Sequence, residues 1–75
     1  MKKFTLDLPV LAKGSKGEIV KAVQILLKGY GYKLGATGSF GEGTQKRLKE
    51  AQEAWGIPQT GKTDRETWEA LLGLK

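Results

Sequence analysis

The sequence predicts an all-α fold, a compact three-helix bundle with an extended N-terminal arm, built as a degenerate helix-turn tandem repeat. Three observations carry the prediction. Three stretches repeat apolar residues at spacings of three and four, each bounded by local start or stop signals. A Thr-Gly turn at Thr37-Gly38 returns at Thr60-Gly61, displaced by 23 residues. The chain has 75 residues, enough for one core and too few for two, so every element must share that core and residues 1–75 are expected to form one domain, its core about 8–73.

The arm comes first. Phe4, Leu6 and Leu8 alternate with polar residues and stop at Pro9, which is the period of an extended segment laid across the bundle. Ser15 and Glu18 then stand three apart ahead of an apolar-periodic stretch, the spacing of a capping box in which each side chain takes the other's free backbone N–H. A first helix is therefore expected from Ser15 to Tyr30, with Ile19, Val20, Val23, Leu26, Leu27 and Tyr30 as its apolar stripe. Gly31 supplies a left-handed cap, and Tyr32 after it folds back on the stripe.

The second helix is expected to start near Gly41 or Glu42. It places Leu48, Ala51, Gln52 and Trp55 on one face and ends at Gly56-Ile57-Pro58, a glycine cap followed by a proline that forbids continuation. The third opens at Asp64, a good N-cap, carries Glu66 in its first turn, and presents Trp68, Leu71 and Leu72 before Gly73 stops it. So short a helix is unstable alone in water and must dock on the other two.

The echo between the two turns extends beyond Thr-Gly. Thr44 matches Thr67 at about the third position of the following helix, Leu48 matches Leu71, and Gln24 and Gln52 each follow a small apolar residue on the preceding helix. Glycine at 38 and 61 permits a positive φ in a tight turn, the threonines can hydrogen-bond free backbone groups at the helix start, and each glutamine can bond from helix to turn.

Composition narrows the chemistry. There is no cysteine and no histidine, which removes disulfides, thiolate nucleophiles, imidazole bases and the zinc sites built from them. No clustered carboxylate spacing suggests a metal, and no cofactor motif is present. Glu50 and Glu53 are adjacent on a helix, but beside Lys46, Arg47 and Lys49 they form a solvated face, and Ser15 and Ser39 have no base to activate them. No catalytic residue is assigned. No apolar run approaches the roughly 20 residues that span a bilayer, and Met1-Lys2-Lys3-Phe4 continues into Thr5 and Asp7 rather than into a signal-peptide core, so any export is expected to be supplied by other means.

The net charge of +5 lies entirely in the first half, where seven lysines face two carboxylates in residues 1–35, against six and six in residues 36–75. Such asymmetry either steers the domain to an anionic polymer or serves as a solvated lysine face. Three short helices and a basic balance superficially suit a nucleic-acid binder, yet the third helix carries Asp64, Glu66 and Glu69 against Arg65 alone, which phosphate would repel. The best basic run, Gln45, Lys46, Arg47 and Lys49, lies on the second helix. The expected partners include no nucleic acid and no membrane, and the chain is expected to be monomeric.

The segments Gly14-Ser15-Lys16-Gly17-Glu18, Val23-Gln24, Gly31-Tyr32, Thr37-Gly38-Ser39-Phe40-Gly41 with Thr44, Ala51-Gln52, Trp55-Gly56-Ile57 and Thr67-Trp68 with Leu71 together resemble the peptidoglycan-binding domain type 1 family over residues 8–73. The resemblance implies a non-catalytic module appended to a cell-wall hydrolase such as an amidase, muramidase, peptidase or phage endolysin. The implied partners are peptidoglycan, through glycan strand or stem peptide, and the hydrolase itself. The implied location is extracellular or in the cell wall, or cytoplasmic until release for an endolysin. A protein-interaction or propeptide-like module packing on a partner enzyme is the other reading of such a fold. The chain departs from the family pattern at Thr37 and Thr60, where Asp precedes the turn glycine, at Ala51, where an aromatic stands, and at Asp64, where glycine opens the third helix.

Ligand contacts are expected among aromatics, amides and hydroxyls, because glycan rings stack on aromatic faces and peptides need polar partners. The candidates are Tyr32, Thr37, Gly38, Phe40, Thr44, Gln52 and Trp55, gathered where the 37–44 loop meets the ends of the first two helices. Phe40 and Trp68 are expected to serve mainly as core, Tyr32 and Trp55 only partly.

Overall fold

The computed structural model describes residues 8–74. Phe4 and Leu6 of the expected arm lie outside the described residues. The arm's inner end is pinned by buried polar contacts: Leu11 N–H donates to Thr63 Oγ1 at 2.7 Å and Thr63 N–H donates back to the Leu11 carbonyl at 2.9 Å. The Trp68 indole N–H donates to the Pro9 carbonyl at 2.8 Å. Leu8 is half-buried against the core.

Among the described residues there are three helices and no strand: α1 (Glu18–Gly29), α2 (Glu42–Trp55) and α3 (Arg65–Leu71). α1 packs against both others. One core joins Val20, Val23 and Leu27 of α1, Leu48 and Ala51 of α2, and Trp68 and Leu71 of α3, closed by Leu11 and Phe40 from the connecting segments.

The start of α1 differs from the sequence expectation. The capping box does not form: Gly17 is the N-cap, without a side-chain bond, and the Ser15 hydroxyl instead accepts from Ala12 N–H at 3.1 Å. The cause is a non-local pairing. Lys16 forms an antiparallel bridge with Ser39, flanked by Gly14 N–H to Phe40 O, Phe40 N–H to Ser15 O and Gly17 N–H to Gly38 O, each 2.9 Å. Extended backbone is required there, so the helix begins after it. The buried stripe is also narrower than the apolar pattern: Val20, Val23, Gln24 and Leu27 face inward, whereas Ile19 and Tyr30 are exposed. At the other end the Tyr32 N–H reaches the Leu27 carbonyl at 3.1 Å, the expected fold-back beyond Gly31.

α2 and α3 begin and end as the caps dictate. Gly41 precedes α2, and Gly56, at φ 72°, ends it, with Ile57 N–H bonding the Gln52 carbonyl at 3.0 Å. The Asp64 carboxylate caps α3 by accepting from Thr67 N–H at 3.2 Å.

The tandem echo is a repeated clamp. Gln24, fully buried, donates from Nε2 to Ser39 O and Thr44 Oγ1, both 3.0 Å, and accepts Gly38 N–H on Oε1 at 2.9 Å. Gln52, also fully buried, donates to Lys62 O at 3.0 Å and Thr67 Oγ1 at 2.8 Å, and accepts Gly61 N–H at 2.9 Å. Each glutamine thus ties one helix to the turn after it and to the first turn of the next helix. Gly38 and Gly61 sit at φ 82° and 70°, and a Cβ on Gly61 would stand 3.0 Å from Lys49 Cε. Thr37 and Thr60 accept the N–H two residues on, Ser39 and Lys62, each at 3.2 Å, so a hydroxyl holds each turn.

The second clamp carries a carboxylate that the first lacks. Asp64 accepts from the Thr67 hydroxyl at 2.6 Å and the Thr60 hydroxyl at 2.9 Å. Partial burial pushes its carboxyl up, but the bonds from Thr67 and Thr60 outweigh this and hold it below its ordinary value. A folded-state value below the unfolded one means stability present above the unfolded value, about pH 4, and lost as pH falls through the folded one. The melting temperature should therefore drop below about pH 4, and Asp64→Ala should remove that part of the acid limb while costing about 1 kcal/mol at neutral pH. Calorimetric scans from acid to neutral pH on both proteins check this; superimposable acid limbs would refute it.

Candidate functional site

The segment between α1 and α2 runs beside the N-terminal half of α2 and leaves a groove. Lys33, Leu34, Gly35, Thr37 and Ser39 line one side of a hollow of about 280 Å³, and Thr44, Lys46 and Arg47 line the other. A second hollow of about 280 Å³ adjoins it at Lys33 and Arg47 and is bounded by Gly31, Tyr32 and Glu50. Arg47 forms the saddle between them. Its Nε donates to the Lys33 carbonyl at 3.0 Å and its Nη1 to the Glu50 carboxylate at 3.0 and 3.1 Å, so the guanidinium is held in place. Glu50 is thus engaged as an ion-pair partner on an exposed face.

The groove is rigid because the fold is satisfied beneath it. Gln24 fixes the 37–39 turn from inside, the Lys16–Ser39 bridge fixes it from the flank, and Phe40, 2% exposed, anchors the end of the turn in the core. No buried side-chain donor or acceptor is left without a partner among the described residues. The charge facing the groove comes from Lys33, Lys46 and Arg47 against Glu50. Farther along α2, Lys13, Gln45 and Lys49 border a broader depression of about 540 Å³ that shares Gly43 and Lys46 with the groove, and Lys13 bonds Glu42 there at 3.2 Å. The surface suits a carboxylate-bearing chain held by point charges and threonine or serine hydroxyls.

The residues singled out from sequence divide three ways. Tyr32, Thr37, Gly38 and Thr44 lie in or beside the groove, with Thr37 exposed, Tyr32 half-buried and Thr44 mostly beneath the surface. Phe40 and Gln52 are enclosed, so their side chains act on the fold from within. Trp55 does not join the groove. It packs edge-to-face on Tyr30, with ring centroids 5.5 Å apart and planes at 76°, and lines a separate cleft with Gly56 and Ile57. Lys33 and Tyr30 also line these hollows without having stood among the residues expected from sequence. Their signal was weak, a single lysine after a glycine cap and an aromatic counted with the buried stripe.

No group of three or more carboxylates able to hold a metal ion occurs among the described residues, and no helix among them is long and apolar enough to cross a membrane.

The sequence matches the family model described as "Putative peptidoglycan binding domain" over residues 16–71. Among solved structures, a peptidoglycan-binding protein from Clostridioides difficile, in complex with glutamine hydroxamate, is 36% identical with a TM-score of 0.82, covering 84% of this chain and 40% of that one. The SleB N-terminal domain is 32% identical with a TM-score of 0.85, over 93% of this chain and 97% of that one. A fused zinc-dependent amidase/peptidase/peptidoglycan-binding-domain protein from Clostridium acetobutylicum is 33% identical with a TM-score of 0.81, over 84% of this chain and 28% of that one. This chain therefore spans less than half the length of two of these three relatives. No curated protein matches it.

Proposed function

The chain belongs to the peptidoglycan-binding domain family, and from that premise we propose that it is a non-catalytic module that holds an associated cell-wall hydrolase on peptidoglycan, with the polymer's carboxylate-bearing parts lying along the groove between residues 31–39 and α2. The observation that carries this reading is the groove's combination of fixed shape and positive lining, Lys33, Lys46 and tethered Arg47 beside Tyr32 and the Thr37 turn. The tandem repeat supports the choice of the first turn over the second. Gly41 precedes α2 where Asp64 precedes α3, so the start of α2 has no side-chain cap and its first-turn Glu42 is paired with Lys13, whereas the start of α3 is taken by the Asp64 carboxylate. A relative in which such a domain is fused to an amidase/peptidase supports the hydrolase partner. In this reading the module acts at the cell wall.

The test is co-sedimentation with washed, teichoic-acid-stripped sacculi at low salt and at about 0.15 M, where the Debye length is about 8 Å. Binding is expected at both. Loss at the higher salt would reduce the interaction to diffuse attraction of the lysine-rich half, and absence at both would turn the reading to a protein partner. Lys46→Glu should weaken binding about tenfold with an unchanged melting curve, because it reverses a charge at the interface without touching the core. Tyr32→Ala should weaken it as well, and full binding by both variants would move the site elsewhere.

A further inference from the structure

The C-terminal ends of all three helices meet at the Tyr30–Trp55 pair. Tyr30 caps α1, Trp55 is the last residue of α2, and the Tyr30 hydroxyl donates to the carbonyls of Ala70 at 3.0 Å and Leu71 at 2.9 Å at the end of α3. The cleft they border holds about 430 Å³, with Ile57 and Ala70 as apolar wall and Glu66 at its edge. No cation lines it. Gly56 and Gly73, both at positive φ as helix caps, also line it, and a Cβ on either would meet open space, so bare backbone faces the cleft.

We propose that this cleft is a saccharide subsite, separate from the groove, that stacks a neutral pyranose ring of the glycan strand on the Tyr30–Trp55 corner. The inference rests on the wall-binding reading and specifies which half of the polymer lies where. Edge-to-face packing sets the edge of one ring against a single face of the other and covers no further face, and Tyr30 remains 47% exposed while its hydroxyl fixes its orientation, so an aromatic surface is offered without rotamer freedom to lose. The Ala70 and Leu71 carbonyls already accept from the Tyr30 hydroxyl, so the acceptor character of the cleft comes from the negative ends of the helix dipoles and from Glu66, a carboxylate that forms no salt bridge among the described residues. Acceptors beside an aromatic face suit the hydroxyl and acetamido N–H donors of an amino sugar. The same charge repels a carboxylate-bearing stem peptide, which the cationic groove attracts.

The test uses a peptide-free probe, the tetrasaccharide of N-acetylglucosamine, titrated into the ¹⁵N-labelled full chain. Two indole N–H signals report independently, because Trp68 is 7% exposed and bonded to Pro9 while Trp55 lines the cleft. A saturable shift of the Trp55 signal with Trp68 unmoved is the expected result. Trp55→Ala should abolish the shifts of the Gly56 and Gly73 backbone amides that accompany it, and Glu66→Gln, which leaves packing intact, should weaken it about fivefold to tenfold, the range of one aromatic or charge-assisted contact. An unmoved Trp55 signal in a protein that still sediments with sacculi would overturn the subsite and leave wall binding standing. An unmoved signal without sedimentation would remove both. A shift that Glu66→Gln leaves unchanged, or one that moves with the Lys46→Glu groove variant, would place the sugar outside the cleft.

Discussion

Gln52→Ala should destabilise the fold by about 4 kcal/mol, which combines an orphaned buried donor with the space left by the side chain. The amide is fully buried and its loss leaves the buried Gly61 N–H without an acceptor and Lys62 O and Thr67 Oγ1 without their donor. A chain of 75 residues has a total stability of only about 4–11 kcal/mol, so the variant stands at the edge of unfolding at room temperature. Gln24→Ala should cost about 1 kcal/mol less, because the first clamp lacks the Thr60 and Asp64 extension that makes the second a larger network. Urea titrations followed by far-UV circular dichroism measure both. A loss below about 1 kcal/mol for Gln52→Ala would mean that water or a neighbouring hydroxyl replaces the amide, and the clamp would then be incidental.

The clamps also explain what could be read from the sequence. The spacing of Thr37-Gly38 and Thr60-Gly61, each followed by a threonine at the third helical position, is local and survives in the sequence as an echo. The glutamines were recognisable because a polar residue on an apolar stripe has to be bonded to something. α2 and α3 were delimited by glycine, proline and aspartate, whose effects reach only a few residues. Ser15 and Glu18 had the same kind of local signal and it failed, because the backbone at 14–17 pairs with 38–40, a contact that no short-range pattern encodes. The candidate site divided for a similar reason. Tyr32 and Trp55 both flank glycine caps, but which cap faces which helix depends on how α1, α2 and α3 pack, and that packing brings Trp55 to Tyr30 and leaves Tyr32 beside Arg47.

Phe40 tests whether the groove is built by the core or touches its ligand with the core. From sequence it stood among possible ligand contacts, yet its ring is 2% exposed and its backbone exchanges hydrogen bonds with Gly14 and Ser15. Phe40→Ala should cost about 3–5 kcal/mol, the range for emptying a buried aromatic site, and most of the protein should then be unfolded. Phe40→Leu separates the roles. It keeps most of the volume, should cost less than about 1.5 kcal/mol, and should leave sacculus binding within about twofold once corrected for the folded fraction. If the ring contacted ligand directly, Phe40→Leu would lose binding while remaining folded at that small cost in stability. If it holds the turn from beneath, stability and binding should fall together in Phe40→Ala and persist together in Phe40→Leu. The same logic makes Gln24 and Phe40 parts of the site without being contacts: each fixes the 37–40 backbone that positions Thr37 opposite Lys46 and Arg47.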